Sequence, residues 1–163
     1  MSLIPALLAL RPGCEWTLTG EDYDSLLWLP GNGQPKPSRA ELEAWMPPIT
    51  AEMVDAERDR RLSLGFAADL GRCLVPVDTR SETDWLNLAG LTSYAQTLVA
   101  AGDSTTVISF RGADNQIYPL IPPEIVELGR QAIARKSRLY GQAWVLKDTA
   151  PIPADYRAGV YWA

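Results

Sequence analysis

The stretch Ala56–Gly90, AERDRRLSLGFAADLGRCLVPVDTRSETDWLNLAG, alternates acids with arginines before it turns apolar. Its reading decides the fold, because the same charges could line a reactive site or simply frame a packing unit. Glu57 and Arg61 stand four apart with the acid first, a favourable pair on a helix face. Thr50 is an N-cap candidate for that helix and Gly65 lies near its end. Residues 66–77 are apolar and broken by Gly71, which suits one or two short strands, CLVPV being the clearest. Ser81 with Asp84 marks another helix start. Trp85, Leu88, Leu91, Ala95 and Leu98 then form a helical stripe that Gly102 stops. On this reading the polar residues begin, end and solubilise helices.

A metal reading of Asp78, Glu82 and Asp84 fails. A calcium loop needs a central glycine and a glutamate at its twelfth position, and neither is present. The chain has no histidine, which removes Ser-His and Cys-His nucleophile pairs and histidine-containing metal sites. Cys14 and Cys73 are too few for a four-thiolate site. Each reads as a small buried hydrophobe, with a disulfide between them left open. Of the three lysines, Lys36, Lys136 and Lys147, none sits in a recognisable nucleophile motif. No cofactor and no metal are expected. Net charge is −5, which argues against a general nucleic-acid binder. Arg130, Arg135, Lys136 and Arg138 make either a local basic patch or a solvated helix face, the second being the simpler reading. The opening MSLIPALLALRPG is apolar but short, interrupted by Pro5 and without a basic run ahead of it. It reads neither as a signal peptide nor as a membrane span.

Towards the N-terminus, residues 15–29 read as a hairpin with its turn at Gly20 to Asp24 and with Trp16 facing Trp28. The segment PGNGQPKP, residues 30–37, reads as a linker. Ser38 with Glu41 matches a capping box, and Pro47-Pro48 ends the short helix that follows. Towards the C-terminus, Thr105 to Leu120 reads as a hairpin turning at RGADNQ. Pro122-Pro123 then opens a long helix with the stripe Ile125, Leu128, Ala132, Leu139 and Ala143. The expected fold is α+β, small antiparallel hairpins packed on two or three helices with a proline-linked N-terminal hairpin segment. Three regions are expected: residues 1–48, a core module over 49–147, and an extended tail over 148–163.

Six tryptophans are many for this length. Trp45 and Trp85 are expected in the core. The tail carries Ile152, Tyr156, Tyr161 and Trp162, more apolar surface than a free end should hold. Either it folds back on its own domain or these four residues dock on another chain as aromatic anchors.

Several motifs resemble bacteriophage and prophage tail-associated proteins. Tyr23, Leu26 and Trp28 followed by Pro35, Pro37, Ser38, Glu41 and Leu42 are similar to the N-terminal part of many of them. The stretches AERDRRLSLGF, VPVDTRSETDWLNLAGL and PPEIVELGRQAIARKSRL, the hairpin around Gly112 to Asn115, and the ending KDTAPIPADYRAGVYW resemble an uncharacterised module of tail and tail-fibre gene clusters. The resemblance covers most of the chain from Trp16 onward. It implies a virion tail component that binds fibre or baseplate proteins, with self-association open, or else a chaperone of fibre assembly that leaves the particle. It carries no catalytic residues and implies no enzyme; from charge and hydropathy, no nucleic-acid and no membrane partner is expected. The location it implies is the virion tail, after assembly in the host cytoplasm. Such a protein would act by offering a sheet edge and aromatic anchors. A hydrolase of surface glycans built on two carboxylates is the competing class.

Overall fold

Hydroxyl caps start three helices at the positions their spacing marks. Ser38 accepts the Glu41 amide at 3.1 Å and starts α2, Arg39–Ala44, with Glu41 reaching back to the Ser38 amide at 2.7 Å. Thr50 starts α3, Ala51–Ser63. Ser81 and Asp84 close the same reciprocal box ahead of α4, Glu82–Ala100. Each box satisfies amides that the first helical turn leaves without partners. The computed structural model describes residues 3–163. Among them the protein is α+β, with antiparallel two-stranded sheets and helices in two units that meet in sequence at Pro48 and Ile49.

The first unit contains a helix that the sequence reading missed. Leu3–Leu10 forms α1, and Leu3, Ala6 and Leu7 are buried on one face. Pro5 is tolerated because it lies in the first turn, where an amide has no intrahelical partner. α1 packs on α2 through a core that also takes Leu26 and Leu42. Trp45 is half-buried beside this core. The hairpin pairs β1, Trp16–Thr17, with β2, Leu27–Trp28, and sets Trp16 opposite Trp28. Residues 30–37 are a fixed loop rather than a free linker. Asn32 bonds the amide and carbonyl of Glu15 at 2.7 and 2.8 Å. Lys36 reaches the Leu26 carbonyl at 2.7 Å, and the Tyr23 hydroxyl donates to the Pro37 carbonyl at 2.9 Å.

The second unit is built along α5, Pro122–Asp148. One apolar cluster joins the first half of α5 (Ile125, Leu128, Ala132) to Leu88 and Ala95 of α4. It also takes in two hairpins, one of β3, Phe66–Asp69, with β4, Leu74–Val77, the other of β5, Ile108–Arg111, with β6, Ile117–Leu120. The hairpins touch through the Ala113 amide, which donates to the Pro76 carbonyl at 2.8 Å. A second cluster joins the later half of α5 (Leu139, Ala143, Leu146) to Val54 and Leu62 of α3. Trp85 packs against both. α4 and α5 approach closely because Gly129 has no side chain: a Cβ there would lie 2.3 Å from the Thr92 hydroxyl.

The region after α5 corrects the expectation of an extended tail. Its residues form turns and a short 3-10 segment, Gly159–Tyr161, and belong to the second unit. Tyr156 and Trp162 keep only 2% and 4% of their surface exposed, inside the cluster with Val54 and Leu139. The Trp162 indole donates to the Tyr156 carbonyl at 2.7 Å, so its one polar atom is satisfied as it is buried. Burial of two large rings outweighs the entropy of ordering a few residues, which is the physical reason the segment folds back.

Trp162→Ala is therefore expected to destabilise the protein by about 3–5 kcal/mol, the usual cost of truncating a buried aromatic. Urea denaturation checks this, and a loss below about 1 kcal/mol would mean that the ring is not part of the core.

Candidate functional site

The arginine-rich segment is answered by its partners. Glu57 is only 4% exposed. Its carboxylate accepts from Arg60 at 2.7 and 2.8 Å and from Arg61 at 2.7 Å. These bonds, Arg60's foremost, hold the Glu57 carboxyl below its ordinary pKa. Arg61 also donates to the Arg157 carbonyl at 2.8 Å and lies 5.1 Å from the centre of the Trp162 ring. Arg58 pairs with Asp55 at 2.5 Å and covers the Tyr140 ring at 4.4 Å. Lys147 adds a second cation to Asp55 at 2.9 Å. The segment is thus an internal clamp between α3, α5 and the C-terminal turns.

Asp78 and Asp84 are similarly occupied. Asp78 binds the Arg80 guanidinium, which lowers its pKa. Asp84 serves the cap of α4, and among the described residues no cluster of three or more ligating side chains could hold a metal ion. Carboxylates with a resolved shift are all moved down: Glu41, Glu52, Asp55, Glu57, Asp78, Asp103, Glu124 and Glu127. A general acid for glycan cleavage needs the opposite shift. Cys14 and Cys73 are free thiols.

Of the four tail residues read as partner anchors, Tyr156 and Trp162 are consumed by the core just described. Ile152 is half-buried against the same cluster. Tyr161 is also half-buried, and its hydroxyl donates to Asp155 at 3.1 Å. With Gly141, Val145, Leu146 and Pro153 it lines a shallow apolar groove of about 370 Å³.

A different surface combines an open strand edge with uncompensated charge. Leu70 donates to the Cys73 carbonyl at 3.0 Å to close the β3–β4 turn. Bonded and non-bonded pairs alternate from there, so Asp69 and Ala67 turn their backbone groups away from β4. At Asp69 the side-chain amide of Gln131 takes both groups, accepting from the N–H at 3.0 Å and donating to the C=O at 2.7 Å. Ala67, two residues on, faces an open groove of about 380 Å³ between β3 and α5, lined by Phe66, Gln131, Ala134, Arg135 and Arg138. No hydrogen bond within the described chain takes its outward N–H and C=O.

The arginines of this groove differ. Arg130, on its rim, is neutralised by Glu127 through two 2.6 Å bonds, and Arg130 and then Gln131 hold Glu127 down to about 2. Arg135 and Arg138 have no carboxylate partner among the described residues. Arg135 donates to the Arg61 carbonyl at 3.0 Å, while its buried Nε finds no acceptor. Burial, then Arg138 and Arg61, push its pKa down. The basic cluster noticed in the sequence is therefore split, with Lys136 elsewhere, over the Trp85 ring at 4.6 Å.

Residues 48–159 match the family described as Domain of unknown function (DUF4376). The chain belongs to that family. No curated protein and no solved structure matches it. The DUF4376 span starts where the two units meet in sequence and takes in α3, α4, α5 and both hairpins of the second unit. The groove beside Ala67 thus lies inside the DUF4376 domain. Among its described residues no helix is long and apolar enough to cross a membrane.

The Glu57 clamp has a pH signature. Its carboxyl has a folded pKa below the unfolded value of about 4.3. The stabilisation is therefore present above that value and lost as pH falls through the folded pKa. Glu57→Gln is expected to cost about 1–3 kcal/mol at pH 7. It should also flatten the fall of stability between about pH 5 and pH 3. Urea midpoints across that range decide it, and equal slopes in the two proteins would contradict the clamp.

Proposed function

We propose that this chain is a non-enzymatic, protein-binding component of a bacteriophage tail, held in the particle beside the fibre or baseplate. The tail assignment rests on the sequence resemblance of its motifs to tail-associated proteins. The binding mode rests on one structural observation. The strand edge at Ala67 lies open beside Arg135 and Arg138, and neither arginine has a carboxylate partner among the described residues. An open edge offers main-chain hydrogen bonds to an added strand. The downward carboxylate shifts support binding over acid–base chemistry. Tyr156 and Trp162 of the tail do not serve as aromatic anchors, since both rings are buried.

Mass spectrometry of purified particles tests the assignment. The expected outcome is this chain in stoichiometric amount with tail proteins. Its absence from particles whose fibres fail to form without it would assign it to chaperoning instead. Absence together with normal fibres would end the tail reading altogether.

A further inference from the structure

The open edge and two arginines without a carboxylate partner lie on opposite walls of one groove, and together they specify what fits between them. Ala67 offers one outward N–H and one outward C=O, the pair that an extended chain satisfies when it joins a sheet edge. The opposite wall is α5, where Arg135 and Arg138 stand three residues apart, about 4.5 Å along the axis. Side chains two residues apart on a strand point the same way and are separated by about 6.5 Å. Arg135 is held by the Arg61 carbonyl, while the exposed Arg138 side chain can swing to bridge that small difference; a guanidinium pairs with a carboxylate through charge-assisted hydrogen bonds.

We propose that the groove between β3 and α5 binds an extended peptide segment carrying carboxylates at alternate positions, which adds as a strand at Ala67 and sets its acids on Arg135 and Arg138. This rests on the protein-binding reading and names the partner's chemistry. Three features favour such a segment over other occupants. A polyphosphate chain would satisfy the arginines and could accept from the Ala67 N–H, but it has no donor for the Ala67 C=O. An apolar strand would bury the two cations without an anion, which is costly. The charge complementarity is local and deliberate in its contrast, since Arg130 next door already has Glu127 while Arg135 and Arg138 have no acid. Gln131 marks the register at which the added strand stops, because it already fills the Asp69 position.

The test uses the full chain and a fluorescein-labelled ten-residue peptide of alternating threonine and glutamate, read by anisotropy. Saturable binding is expected, with the Ala67 amide among the largest shifts in a 15N correlation spectrum. Replacing the glutamates by glutamine is expected to weaken binding about tenfold or more, as is Arg135→Gln with Arg138→Gln. Arg138→Gln alone, whose side chain makes no hydrogen bond within the described chain, guards against a folding defect and is expected to lose a substantial part of that affinity. Arg111→Gln, at an exposed cation of β5 that does not line this groove, is expected to change affinity less than about threefold. N-methylation of alternate peptide amides is expected to abolish binding through loss of the strand bonds. The proposal is overturned if the glutamine or N-methylated peptide binds as well, if the arginine variants bind unchanged, or if the unmodified peptide does not bind the folded protein. It is equally overturned if a deoxythymidine decamer binds as tightly and moves the same amides. It is also overturned if the protein self-associates through this groove and the peptide cannot displace the second copy. Particle composition is measured independently, so the groove can fail while the tail assignment stands, and the reverse.

Discussion

A single buried carboxylate organises the second unit. Glu57 is fixed by Arg60 and Arg61, and Arg61 then does three things at once. Its guanidinium holds the Arg157 carbonyl, it lies against the Trp162 ring, and its own carbonyl receives Arg135. An unpaired acid at that depth would cost several kcal/mol, so the two arginines are not optional. The C-terminal turns and the groove along α5 are therefore supported by the same residue.

Local signals in the sequence carry most of the helix and hairpin assignments. Ser38 with Glu41 and Ser81 with Asp84 are capping pairs whose partners lie three residues away, so spacing alone reveals them. The stripe on α5 is legible for the same reason, because Ile125, Leu128, Ala132, Leu139 and Ala143 recur at helical intervals and all are buried. What the sequence hides is long-range. α1 was obscured by Pro5, which reads as a breaker until the helix start is known. The loop at residues 30–37 looks free because its prolines and glycines exclude regular structure. Its order comes from Asn32 and Lys36 reaching back to Glu15 and Leu26. The tail reads as extended because the side chains that bury Tyr156 and Trp162 lie far away in sequence, on α3 and α5.

The candidate site was legible in its residue types and not in its geometry. Arg130, Arg135, Lys136 and Arg138 form a basic cluster in the sequence, but the structure gives them separate roles. Glu127 takes Arg130, Trp85 takes Lys136, and only Arg135 and Arg138 line the groove with unpaired charge. That distinction depends on contacts such as Gln131 with Asp69, sixty-two residues apart. The outward direction of Ala67 follows from the register of the hairpin, which a list of residues does not contain.

The Gln131 amide has a further effect. By occupying Asp69 it acts as a one-residue imitation of a neighbouring strand, and at the other end the Gly65 amide is already committed to the Leu62 carbonyl at 3.4 Å. The exposed rung of this ladder is thus a single residue long. Fibrillar stacking needs many consecutive rungs to zip identical chains together, so the protein can be crowded at high local density without polymerising along this face.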